Sequence, residues 1–160
     1  NDDLAITETG LTITNFTSGI GAGADKLEVV TVNATAMINF LDVSAAATAS
    51  ADIDGNIVHI QTGVATAGTL SDTTAGGAVE VAIATALGTS TADNSGAIDG
   101  EFLVVLYGSG TDAGSAGVYE VITTSAAGVD ISAGASISVE LIATLDTGIA
   151  ADSLVFANFI

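Results

Sequence analysis

Oxygen-bearing side chains recur in this chain at spacings that suit a hard cation. In Asp52-Ile53-Asp54-Gly55-Asn56, the side chains of Asp52, Asp54 and Asn56 offer oxygens at alternate positions around a glycine that permits a sharp turn. Loops gather Ca²⁺ with this local arrangement. The helix–loop–helix form of calcium loop is excluded, because its bidentate Glu would have to stand where Gly63 does. A plain acidic turn is the competing reading. The turns at Asp93-Asn94, Asp99, Asp112, Asp130, Asp146 and Asp152 offer the same donor type with fewer ligands.

A further candidate ligand, Asp25, lies in Ile20-Gly21-Ala22-Gly23-Ala24-Asp25-Lys26-Leu27-Glu28. This run overlaps the Ca²⁺-binding nonapeptide G-G-x-G-x-D-x-U-x, with Ile20 in place of its first glycine. The ions of that motif sit between stacked turns, so a glycine-rich hairpin loop is the competing reading of a single copy. Proton-transfer and nucleophilic chemistry find little support. His59 is the one histidine, no G-x-S-x-G elbow supplies a serine nucleophile, and there is no Cys. Sugar-cleaving carboxylate pairs sit beside aromatic platforms, whereas this chain has no Trp and only Tyr107 and Tyr119 as tyrosines. The expectation is a non-enzymatic protein in which His59 is dispensable for chemistry.

Charge narrows the partners. One Lys, Lys26, and no Arg stand against 19 acids, a formal net charge of −18. Such a surface has almost nothing with which to hold nucleic acid or an anionic membrane. The charged fraction is only 12% while 49% of residues are hydrophobic, so the acids are scattered over a foldable chain rather than gathered in a disordered tail. At 160 residues the chain fits one domain, residues 1–160, and buries roughly 70% of its unfolded surface. The start at Asn1 suggests a processed product or part of something longer. A Pro-free, small-residue chain with one tryptic site suits an abundant extracellular or cell-surface protein. The sequons Asn15-Phe16-Thr17 and Asn33-Ala34-Thr35 are candidate glycosylation sites.

The elements that must position these residues are mostly strands. Short β-branched runs with period-two alternation, broken by Gly, Asp, Asn and Ser, predict strands near residues 4–9, 11–16, 26–32, 57–61, 101–107, 118–124, 136–144 and 154–159. The continuously apolar Leu103 to Leu106 predicts a strand covered on both faces. Val79, Ile83, Ala86 and Leu87 at helical spacing, closed by Gly88, predict a short helix, and Met37 to Leu41 fits a helical turn or a strand. Residues 45–51, 63–77 and 88–100 read as loops. The fold class expected is all-β, a mainly antiparallel β-sandwich or jelly-roll-like domain with one or two short helices.

Two parts of the chain resemble a family. The segment 11–29, LTITNFTSGIGAGADKLEV, is similar to the D-x-ITDF-x-x-G-x-DKL stretch that follows or closes the repeats of RTX-type secreted bacterial proteins. The run 100–121, GEFLVVLYGSGTDAGSAGVYEV, with residues 137–145 and 152–160, resembles the C-terminal domains of RTX adhesins and of some bacterial surface-layer proteins. The matched parts cover about half the chain. The resemblance implies type I export with an uncleaved C-terminal signal, Ca²⁺-assisted folding outside the cell, and a structural or adhesive role. Tandem nonapeptides are missing, so the carry-over of Ca²⁺ ligands reaches only Asp25.

These readings converge on an extracellular structural protein that assembles with copies of itself into a surface layer, filament or matrix. Divalent cations, calcium first, would neutralise its acids, and a cell-surface glycan is a further candidate partner. The alternative is a C-terminal secretion and folding module of a larger RTX-type adhesin or exoenzyme. Both chain ends, apolar and strand-like, are expected to be interaction elements, the N-terminal strand above all.

Overall fold

The computed structural model describes residues 3–6, 9–20, 22–29, 39–45, 53, 56–88, 100–123, 137–146 and 148–159. They form β1 (Asp3–Ile6), β2 (Leu11–Thr14), β3 (Lys26–Val29), β4 (Asn39–Val43), β5 (Asn56–Ile60), α1 (Ala78–Leu87), β6 (Glu101–Tyr107), β7 (Ala116–Thr123) and β8 (Ile137–Asp146). Six strands make one sheet in the order β2-β8-β7-β6-β5-β4, and β1 pairs with β3 in a second sheet. The domain is mainly β, with a single α-helix among the described residues.

The strand directions depart from the antiparallel expectation. The β6–β7 and β7–β8 pairs are antiparallel, but β2–β8, β4–β5, β5–β6 and β1–β3 are parallel. For the β5–β6 pair the cause lies in the connection. A parallel neighbour needs a crossover of a dozen residues or more, and α1 with its small-residue arms supplies it.

That crossover explains the apolar run of β6, buried at every position. Phe102, Val104 and Leu106 join Val58, Ile60, Tyr119 and Val121 beneath α1. Leu103, Val105 and Tyr107 face the other way and pack with Ile57, Val118, Ala143 and Leu145 beneath Phe16, Leu27, Leu154 and Phe159. Full burial of one large apolar side chain is worth about 1.5–3 kcal/mol, so two such layers account for much of the driving force. On β8 the alternation changes sense at a bulge. Leu141 pairs with Tyr119 and Ala143 with Val118, leaving Ile142 as the extra residue. Before it Ile137, Val139 and Leu141 pack on the α1 side; after it Ala143 and Leu145 pack on the other.

The short helix expected from Val79 to Gly88 forms, because Val79, Ala82, Ile83, Ala86 and Leu87 share one buried stripe while Val81 stays exposed. Gly88 closes it with φ 50° and an N–H donated to the Ala84 carbonyl. At its start Asp72, six residues upstream, accepts the Ala78 N–H through its carboxylate and the Val79 N–H through its carbonyl. Those hydrogen bonds hold the Asp72 carboxyl below the usual carboxylate range. Residues 39–43 settle as a strand through their pairing with β5. The strand expected at 154–159 is a 3-10 turn at Phe156–Asn158 followed by a single bridge from Phe159 to Leu27. Asn158 takes up the local polar groups there, so the segment caps the core instead of extending a sheet.

Candidate functional site

Register builds one polar line across an otherwise apolar face. Asp42 on β4 stands opposite His59 on β5, and Tyr107 extends from β6 on the same face. His59 Nδ1 lies 2.5 Å from Asp42 Oδ1 and its Nε2 lies 2.9 Å from the Tyr107 hydroxyl. That hydroxyl also accepts the Leu154 N–H at 3.2 Å. Burial pushes the Tyr107 phenol up to about 12, with Asp152 and Asp42 adding to the shift, so it stays protonated and can donate to Nε2. The network then places the imidazole proton on Nδ1, which donates to the Asp42 carboxylate. Phe40 and Tyr107 flank the imidazole, with ring centroids 5.3 and 5.5 Å away.

This line has the base-and-orienter half of a catalytic triad, but the chemistry differs. A triad needs a nucleophile beside the free imidazole nitrogen. Here a protonated phenol fills that place, and His59 is 1% exposed. Only the Asp42 end reaches solvent, with 56% of its side chain exposed. The arrangement ties an edge strand, a central strand and the C-terminal segment together. His59 is thus held inside the core by partners on both ring nitrogens.

Of the proposed cation ligands, Asp25 and Asn56 lie among the described residues. Asp25 precedes β3, and its carboxylate accepts the Thr17 N–H at 2.8 Å while its own N–H returns to the Thr17 carbonyl at 2.9 Å. It closes the glycine-rich loop as a backbone clamp. Asn56 opens β5 and donates its N–H to the Ile53 carbonyl. Asp52 and Asp54 lie outside the described residues, as do Asp93, Asp99, Asp130 and the sequon at Asn33. Asn15, in the other sequon, is exposed with φ 60°.

The remaining acidic turns behave as Asp25 does. Asp112 accepts the Leu70 N–H at 2.7 Å, Asp146 accepts the Ser115 hydroxyl at 3.1 Å, and Asp152 accepts both the N–H and the hydroxyl of Thr62. Among the described residues no group of three or more His, Asp or Glu is arranged to hold a metal ion.

Sequence reasoning missed the partners of His59, the buried pair Glu101 and Glu120, and Asn158. Polar residues inside otherwise apolar strand runs, Asp42 in NFLDV, His59 in NIVHI and Glu101 in EFLVVLY, were the signal available. No helix of the described residues is long and apolar enough to cross a membrane. No protein-family model, curated protein or solved structure matches the chain.

Proposed function

We propose that this chain is a non-enzymatic, extracellular structural domain that associates with copies of itself through its sheet edges, with divalent cations such as calcium neutralising its acidic surface. The observation that carries the reading is the end-to-end order of the six-stranded sheet. Its outermost strands β2 and β4 are each hydrogen-bonded, among the described strands, on one side only. Proline-free edges invite strand addition from another copy. The inward commitment of His59 and of the described turn carboxylates supports a structural role over a chemical one. In fold terms we take the β1–β3 pair, with Leu27 packed over the large sheet, as the second layer of a small sandwich-like arrangement.

Dense packing of chains carrying −18 requires cations at the contacts or screening by salt, whose Debye length is about 8 Å at 0.15 M. Asp25 and the Asp52 to Asn56 loop are the local candidates for Ca²⁺.

β2 provides the test. Its solvent-facing Thr12 and Thr14 can be changed together to Lys. Charged residues blunt an edge, yet two added lysines also reduce the net negative charge, which by itself would favour association. The expected result is a protein that melts as wild type does but no longer assembles. Undiminished assembly, measured by light scattering, would remove the β2 edge from the proposal.

A second reading rests on the C-terminal segment. Ile149, Leu154, Asn158 and Phe159 are all buried, so residues 148–159 complete the core, as expected of the closing element of a C-terminal module in a larger RTX-type secreted protein. The mass of the mature polypeptide separates the two readings.

A further inference from the structure

At the end of the sheet away from Tyr107, three glutamates occupy one face of three adjacent strands. Glu120 on β7 pairs in register with Leu103 on β6 and with Glu140 on β8, and Glu101 lies one pleat further along β6. Glu101 and Glu120 are only 3% and 4% exposed, whereas Glu140 is exposed. The two buried side chains stand diagonally across adjacent strands, so their carboxyls crowd one another. Two buried carboxylates so placed repel each other unless a proton lies between them. One oxygen of Glu120, Oε1, is buried with no hydrogen-bond partner. A full negative charge at such a place is costly.

We propose that Glu101 and Glu120 share one proton in the folded protein and act as a pH-responsive latch between β6 and β7, closed in acid and strained once the proton leaves. The charged groups that bear on Glu120 are Glu101 and Glu140, both of its own sign. The other titratable groups on the same face, His59 on β5, Asp42 on β4 and Tyr107 on β6, form their own line toward the opposite end. Burial first, then the neighbouring carboxyls of Glu101 and Glu140, push the Glu120 carboxyl up from 4.5 to about 7.

The direction of the effect follows from proton counting. Between pH 4.5 and about 7 the unfolded chain has released this proton and the folded chain still holds it. Stability therefore falls as pH rises through that window and levels off above it. The fastening is strongest in acid, where most proteins lose stability.

The test is thermal unfolding across this pH range at high salt, which screens the general repulsion of the surface more than the buried pair. Wild type is expected to lose roughly 5 °C or more in Tm across the window. Glu120→Gln, which keeps the shape and removes the titration, should flatten the profile. Glu28→Gln, which removes one exposed charge on β3, should leave the profile as in wild type. Parallel profiles for all three proteins would overturn the latch. Should Glu120→Gln not fold, the side-chain carboxyl carbon of Glu120 can be followed by NMR in wild type. A midpoint near 7 supports the shared proton, and one near 4.5 overturns it.

Discussion

Gly117→Ala is expected to destabilise the domain by about 3 kcal/mol, a large effect for one added methyl group. Gly117 and Tyr119 point to the same face of β7, and the Tyr119 ring lies back over the glycine. A Cβ at position 117 would overlap the ring, meeting its Cε2 at 2.5 Å and its hydroxyl closer still. The ring has no room to yield, because Tyr119 is fully buried and its hydroxyl donates to the Leu70 carbonyl at 2.8 Å. Relief of the overlap must displace the ring, open the packing against α1 and leave the Leu70 carbonyl without its donor. Urea unfolding measures the cost. The cause is checked by the double variant with Tyr119→Ala, in which the added methyl should cost less than about 1 kcal/mol because its obstacle is gone. A Gly117→Ala protein as stable as wild type would show that the ring is not held there.

Asn158→Ala should cost about 3 kcal/mol, since it deprives several half-buried backbone groups of their partner at once. Asn158 is fully buried and its amide joins two distant parts of the chain. Its oxygen accepts the N–H groups of Gly19 and Val155, each at 3.1 Å, and its nitrogen donates to the carbonyls of Gly19 at 3.2 Å and Asp25 at 2.9 Å. The Asp25 clamp and the C-terminal turn therefore meet in one side chain. Alanine removes all four bonds and leaves half-buried backbone groups without this partner. Hydrogen exchange should accelerate at Gly19, Asp25 and Val155 together, and well before the centre of β6. Protection unchanged at those amides would mean that the loop is held by packing alone.

Much of the architecture was legible because it rests on local pattern. β6 was readable from its unbroken apolar run, and the helix from Val79, Ile83, Ala86 and Leu87 followed by Gly88. Strand direction was not legible, since it depends on which strand the α1 crossover returns to, and Ile57 and Leu103 carry no mark of being parallel neighbours. The C-terminal strand misled for a related reason. Leu154 and Phe159 have strand-like neighbours, but the hydrogen bonds that shape the segment come from Asn158 and run to a loop over 130 residues earlier. The acidic turns were legible as oxygen-rich turns and silent about their partners. Asp25, Asp112 and Asp152 each hold a backbone N–H of this chain, and a carboxylate that caps a turn has the same local sequence as one that awaits a cation. The N-terminal strands, expected as interaction elements, pair within the chain, β1 with β3 and β2 with β8, a non-local pairing that local sequence does not mark.

Self-association is the central claim, and sedimentation velocity of the purified chain reads it most directly. The protein is examined in chelator and in millimolar Ca²⁺, with ionic strength matched by NaCl. The account predicts slow-sedimenting single chains in chelator and large, fast-sedimenting species in Ca²⁺ that chelator returns to single chains. One monomer boundary at every protein and Ca²⁺ concentration would contradict it.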